Sequence, residues 1–143
     1  NPPLLGWVGR GNRGAGRPLV GGCRLGDDAE ELARRGCRVT AFDIAPTAIA
    51  WCRTRFPGSP VEYVVGDARS PDPAWLGAFD VVFEAYILQV LPPDLRPAAM
   101  AGMARCIAPA GRLLVVAGFF LPKAMALPLW RRHPAALPEY RYP

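Results

Sequence analysis

Five short apolar runs, separated by stretches with helical periodicity, limit the fold of this 143-residue chain more than any other feature. The runs lie at residues 19–20, 38–43, 61–65, 79–83 and 113–117. Strands that alternate with helices form βαβ units, whose right-handed crossovers align the strands in one direction. We therefore expect an α/β fold with a doubly wound, mostly parallel sheet of about five strands and helices on both faces.

Capping residues and prolines predict where the helices begin. Asp27 is a predicted N-cap of the first helix, and Glu30 stands where its capping-box partner belongs. Pro46 suits the first turn of the second helix. A third helix is expected to begin at residues 92–94, and residues 109–111 are expected to form a turn before the last strand.

The net charge of +5 is concentrated in two flanks of the chain. Residues 1–17 and 118–143 each carry +3, whereas residues 18–117 carry −1. We expect an irregular basic N-terminal segment, a folded domain at 18–117 and a proline-rich irregular tail. Nucleic-acid binding calls for a basic face on the folded domain, so we expect no nucleic-acid partner.

The cysteines and the single histidine lack metal-ligand spacing, so we expect no metal site. The four cysteines are Cys23, Cys37, Cys52 and Cys106. Their spread along the chain indicates reduced thiols in a cytoplasmic protein. His133 is expected at the surface of the tail. Prolines, a glycine and a lysine interrupt the apolar stretch 113–130, so no membrane span is expected. The start at Asn1 rather than Met is compatible with a fragment.

The loop after the first strand is rich in glycine, and its spacing fits two cofactor patterns. Gly22, Arg24 and Gly26 fit G-x-G-x-G, which suits S-adenosylmethionine, with arginine in place of the middle glycine. Gly21, Cys23 and Gly26 fit G-x-G-x-x-G, which suits a dinucleotide, with cysteine in the middle. A tight turn without any ligand is the third interpretation.

Two acids that follow this loop, Asp27 and Asp28, favour the first pattern. A dinucleotide places its pyrophosphate at the N-terminus of the helix, where two carboxylates would repel it. The sulfonium and ammonium groups of S-adenosylmethionine are cationic and therefore compatible with these acids. Both residues would equally complement the helix dipole without a ligand.

Acids also follow the next three strands, at the edge where parallel sheets bind ligands. Asp43 ends the second strand and can accept from both ribose hydroxyls, while Ile44 can pack on adenine or in the core. Asp67 follows the third strand, where it can accept from an adenine amino group or serve as a turn residue. After the fourth strand, Glu84 or Tyr86 could orient a nucleophile, contact the methyl-donor end, or have structural roles only.

In this order, the loops resemble those of class I S-adenosylmethionine-dependent methyltransferases, over about residues 18–117. The resemblance rests on the segments LVGGCRLGDDAEELARRG, VTAFDIAPTAI, VEYVVGDAR, FDVVFEAYILQVLPP and APAGRLLVVA. It is greatest to bacterial members that act on small molecules, and weaker to thiol and thiopurine methyltransferases. The resemblance implies a Rossmann-like sheet, S-adenosylmethionine as cofactor and a small-molecule methyl acceptor.

The resemblance also implies roles for individual residues. Those expected to bind the cofactor are Gly22, Cys23, Gly26, Asp43, Ile44, Asp67, Ala68 and Glu84. Gly22, Cys23 and Gly26 would wrap the methionine part. Asp43, Ile44, Asp67 and Ala68 would hold the adenosine part. Glu84 would lie beside the methyl-donor end. Catalysis in this family is largely the alignment of a nucleophile with the methyl group, so we assign no catalytic residue.

Two other functions stay open. An NAD(P)-dependent oxidoreductase is disfavoured by the two acids and by the absence of a Tyr-x-x-x-Lys pair, since Lys123 is the only lysine. A degenerate, non-catalytic Rossmann-like binding domain is supported by Arg24 and by the flanks. The flanks stand where the family has an N-terminal helix and two last strands. The oligomeric state and the methyl acceptor are not predicted.

Overall fold

The computed structural model describes residues 4, 6 and 16–116 of the chain. They contain one five-stranded sheet in which every neighbouring pair of strands is parallel. The strands are β1 (Pro18–Gly21), β2 (Thr40–Asp43), β3 (Glu62–Val65), β4 (Phe79–Ala85) and β5 (Ile107–Val116). Their order is β3-β2-β1-β4-β5, so the winding reverses between β1 and β4. The expected doubly wound α/β sheet is confirmed.

Four helices connect the strands in the described part of the chain, and none of them is long and apolar enough to cross a bilayer. They are α1 (Asp27–Arg34), α2 (Pro46–Arg55), α3 (Ile87–Val90) and α4 (Arg96–Arg105). A single 3-10 turn at Pro73–Trp75 precedes β4. The expected start of the third helix at 92–94 is wrong, because a separate turn occupies that segment. In this turn the Leu95 amide donates to the Pro92 carbonyl at 3.0 Å.

Side chains of the sheet alternate between two hydrophobic cores, one on each face. In β1, Val20 packs into one core and Leu19 into the other. Helices α1 and α2 cover the Val20 face through buried residues such as Ala29 and Ile49. Helix α4 covers the Leu19 face through buried residues such as Met103. Helices therefore lie on both faces, as expected from the alternating pattern.

The predicted capping box of α1 is wrong. The N-cap residue is Gly26, which has φ +86° and makes no side-chain hydrogen bond to the helix. Asp27 is instead the first residue of the helix. The Glu30 carboxylate accepts hydrogen bonds from Ser59 Oγ at 2.5 Å and from the Tyr63 hydroxyl at 2.7 Å. These hydroxyls near β3 attract the carboxylate away from the helix start.

The turn predicted at residues 109–111 lies within β5 rather than before it. Phe79 pairs with Ile107 and Val81 pairs with Arg112, so the turn forms an irregularity in the strand. Ala110 takes a left-handed conformation there, with φ +63°. The apolar run at residues 113–117 predicted only the part of β5 that follows this irregularity. Ala117, the tail with His133 and most of the basic N-terminal segment lie outside the described residues.

Helix α4 packs directly on the loop after β3, which lies at the ligand-binding edge of the sheet. A Cβ atom on Gly102 would overlap the carbonyl oxygen of Ala68. We therefore expect Gly102→Ala to lower the free energy of unfolding by about 1–3 kcal/mol through overpacking. The same change at an unconstrained helix position would stabilise by about 1 kcal/mol.

Urea unfolding followed by circular dichroism checks this expectation. Ala101→Ser, at an exposed neighbouring position of α4, serves as the control and should change stability by about 0.5 kcal/mol or less. A Gly102→Ala variant as stable as the parent chain would contradict the close approach of α4 to the β3 loop.

Candidate functional site

The carboxyl ends of the strands surround a cavity of about 640 Å³. Residues of the loops after β1, β2, β3 and β4 line it. Tyr86, one of the two candidates after β4, is among them. The residues predicted to bind the cofactor that line this cavity are Gly22, Asp43, Ile44, Asp67 and Ala68. The fold therefore brings these five residues, which are separated along the chain, to one site at the edge where parallel sheets bind ligands.

A smaller cavity of about 190 Å³ adjoins the first at the loop after β1. The residues that line both cavities are Gly22, Arg24, Ala85 and Tyr86. Cys23 lines only the smaller cavity, as do Asp27 and Asp28 at the start of α1. The two cavities therefore form adjacent parts of one cleft, divided by the loops after β1 and β4.

The backbone of the glycine loop resolves the two spacings that the sequence leaves open. Gly22, Arg24 and Gly26 have φ values of +62°, +53° and +86°, in the left-handed region that favours glycine. Among residues 21–26 these are the three with positive φ. The G-x-G-x-G spacing is therefore the one that the backbone follows. Arg24 takes the conformation of the glycine that it replaces.

The Asp43 carboxylate joins the loops after β1 and β2. Its Oδ2 atom accepts from the Arg24 amide at 3.1 Å, and its Oδ1 atom accepts from the Ala45 amide at 3.0 Å. The Cys23 amide donates to the Phe42 carbonyl at 3.0 Å beside it. A carboxylate has about four lone-pair positions, so two hydrogen bonds leave acceptor capacity toward the cavity.

Asp67 has a cationic partner that the sequence analysis missed. The Arg69 side chain donates to both Asp67 carboxylate oxygens, with its Nη2 atom 2.6 Å from Oδ2. Hydrogen bonds from Arg69 hold the pKa of Asp67 below its usual value. Arg69 also lines the cavity, so the β3 loop presents an ion pair there rather than a lone acid. The Asp-x-Arg spacing in a turn is the signal that could have shown it.

Two predicted site residues, Gly26 and Glu84, line neither cavity. Each instead holds in place a loop that does line the cleft. A Cβ atom on Gly26 would lie 2.7 Å from the Tyr63 hydroxyl, so glycine is needed there for packing. Glu84 is fully buried, and its Oε2 atom accepts from the Ile87 amide at 2.9 Å. No described residue hydrogen-bonds its Oε1 atom. Glu84 therefore anchors the start of α3.

One wall of the larger cavity is apolar and was not predicted. It comes from α3 and the turn before α4, through Val90, Leu91 and Leu95. Val90 is 75% exposed, and Ile44, which also lines the larger cavity, is 62% exposed. The signal for this wall was the apolar stretch after β4, but its single helical turn is too short for a periodicity to show.

Burial raises the pKa of Glu84 from 4.5 to about 7. The folded chain therefore holds a proton between these pH values that the unfolded chain releases. The stabilisation from this proton is complete below pH 4.5 and is lost as the pH rises through 7, by at most about 1.4 kcal/mol per pH unit. We expect Glu84→Gln, which has no such proton, to match the parent chain at pH 4.5 and to exceed its stability at pH 8.

Urea unfolding of both chains at pH 4.5, 6 and 8 measures this difference. The comparison isolates Glu84 because every other titratable group is shared by the two chains. An equal difference in stability at all three pH values would show that Glu84 ionises in the folded state as it does in water.

Known proteins are similar to this chain in sequence and in fold. A family model described as a methyltransferase domain matches residues 19–111. Thiocyanate methyltransferase 1 of Arabidopsis thaliana is 30% identical over 105 residues. The match covers 71% of this chain but only 45% of the plant enzyme, so the chain spans less than half the length of this curated relative.

Two solved structures share the fold over 91% of this chain and 70% of their own lengths. A TehB-like S-adenosylmethionine-dependent methyltransferase from Corynebacterium glutamicum superimposes with a TM-score of 0.74 at 24% identity. The N-methyltransferase NodS from Bradyrhizobium japonicum, in complex with S-adenosylhomocysteine, superimposes with a TM-score of 0.71 at 25% identity. Because the family model covers most of the described residues and the loops follow the G-x-G-x-G spacing, this chain belongs to the methyltransferase domain family.

Proposed function

We propose that this chain binds S-adenosylmethionine in the cleft and transfers its methyl group to a small-molecule acceptor. The observation that carries the proposal is the position of the Asp43 carboxylate. It links the glycine loop to the loop after β2 and lines the larger cavity. This cavity, at about 640 Å³, has the size of a small-molecule site. NodS, which has the same fold, binds S-adenosylhomocysteine.

The described residues suit the adenosine part of this cofactor. Asp43 would accept from the ribose hydroxyls through the lone pairs that its backbone hydrogen bonds leave. Ile44, exposed at the rim, would cover one face of adenine. Asp67 and Ala68 would contact the adenine edge, with Arg69 holding the Asp67 carboxylate in place.

The methionine part would lie along the glycine loop. Gly22 has no room for a side chain, because its Cβ would lie 2.5 Å from Ile87, so glycine is needed where α3 packs on this loop. Cys23 would line the methionine end, while Gly26 and Glu84 would hold the two loops from behind. The bound cofactor supplies a methyl group on a sulfonium, and the protein aligns the acceptor with that group.

The acceptor and the location of the protein are part of the proposal. The apolar wall of Val90, Leu91 and Leu95 supports a small acceptor with an apolar portion. The four unpaired cysteines support a reducing compartment, which we take to be the cytoplasm. Among the described residues no cluster of three or more metal-ligand side chains occurs.

Titration calorimetry with S-adenosylhomocysteine and, separately, with NAD tests the cofactor. We expect binding of the first and none of the second. Asp43→Ala should weaken S-adenosylhomocysteine by a factor of about 10–100, since hydrogen bonds to a charged group are lost. Binding of NAD alone would support an oxidoreductase, and binding of neither ligand would support a degenerate domain.

Asp80→Ala is the matched control for this titration. The Asp80 carboxylate also accepts a backbone hydrogen bond, from the Arg17 amide at 2.8 Å, but at the amino end of β4. Both variants therefore lose an acceptor for a backbone amide, and only one of them loses a group at the cavity. Equal affinities of the two variants for S-adenosylhomocysteine would remove Asp43 from the binding site.

A further inference from the structure

Arg24 stands at the junction of the two cavities, in a position where the family pattern has glycine. Its backbone is held on both sides: the amide donates to Asp43 at 3.1 Å, and the carbonyl accepts from the Cys52 thiol at 3.3 Å. Its φ of +53° lies in the left-handed region, which is unfavourable for arginine and readily adopted by glycine. The loop therefore keeps a strained arginine whose exposed side chain borders both parts of the cleft.

Charged side chains of both signs line the smaller cavity. The acids Asp27 and Asp28 lie at its α1 side, and Arg24 lies at its junction with the larger cavity. Arg55 pairs with Asp27 at 2.9 Å. Burial raises the pKa of the Cys23 thiol, so this side chain adds no negative charge. Arg24 is the basic side chain among the residues that line the smaller cavity.

We propose that the Arg24 guanidinium binds the carboxylate at the amino-acid end of S-adenosylmethionine. Arginine suits this role because its donors match the two oxygens of a carboxylate. The contact makes Arg24 a specificity-determining residue, which distinguishes the complete cofactor from adenosine thioethers that lack the amino-acid end. This inference rests on the proposed function, and the experiment below separates the two.

The test combines a truncated ligand with a truncated side chain. S-adenosylhomocysteine carries the carboxylate, whereas 5′-methylthioadenosine has the same adenosine and sulfur without the amino-acid end. Arg24→Gln removes the charge but keeps most of the length. We expect it to weaken S-adenosylhomocysteine about 10-fold or more and to change 5′-methylthioadenosine less than about 2-fold, because charged hydrogen bonds are lost with one ligand only.

Two further variants serve as controls for the comparison of the two ligands. Arg24→Gly should show the same selective loss and a higher urea midpoint of unfolding, since it relieves the left-handed strain. A higher midpoint would exclude unfolding as the cause of weaker binding. Arg69→Gln, at the β3 end of the larger cavity, should change the affinities for the two ligands by equal factors.

Each other outcome overturns part of the account. Equal losses of both ligands in Arg24→Gln would reduce Arg24 to shaping the loop. Unchanged or tighter binding of S-adenosylhomocysteine would show that the arginine crowds the cleft. If the parent chain binds neither ligand, the proposed function fails, and the Arg24 assignment fails with it.

Discussion

One carboxylate, that of Asp43, holds together the part of the structure on which the cleft depends. It accepts hydrogen bonds from the amide of Arg24 in the glycine loop and from the amide of Ala45 in its own loop. These loops follow adjacent parallel strands, β1 and β2, which end at the same edge of the sheet. The bond to Arg24 helps to hold the left-handed backbone of a residue that lines both cavities.

Around this link, the residues of the site divide into those that face the cleft and those that support them. Gly22, Asp43 and Ile44 face the larger cavity. Gly26 and Glu84 do not line the cleft. Gly26 allows close packing against Tyr63, and Glu84 anchors the start of α3. In the proposed complex, Gly26 and Glu84 would therefore support the site without contacting the cofactor.

Much of this site could be predicted because parallel strands bring their following loops together whatever the intervening sequence. The positions of Asp43, Ile44 and Asp67 follow from that rule alone. The spacing of the glycine loop could not be decided, since left-handed φ at residue 24 is a property of the backbone that arginine conceals. Glu30 was assigned to a capping box because its hydroxyl partners, on Ser59 and Tyr63, are distant in sequence and come close only in the folded chain. Arg69 was missed although its partner, Asp67, is two residues away.

In the proposed complex, the cleft holds S-adenosylmethionine with its ribose at Asp43 and its carboxylate at Arg24. A crystal structure of the chain with S-adenosylhomocysteine measures this directly. We expect both ribose hydroxyls within hydrogen-bonding distance of the Asp43 carboxylate, and the ligand carboxylate within that distance of the Arg24 guanidinium. A ligand bound elsewhere, or one whose ribose has no contact with Asp43, would contradict the account.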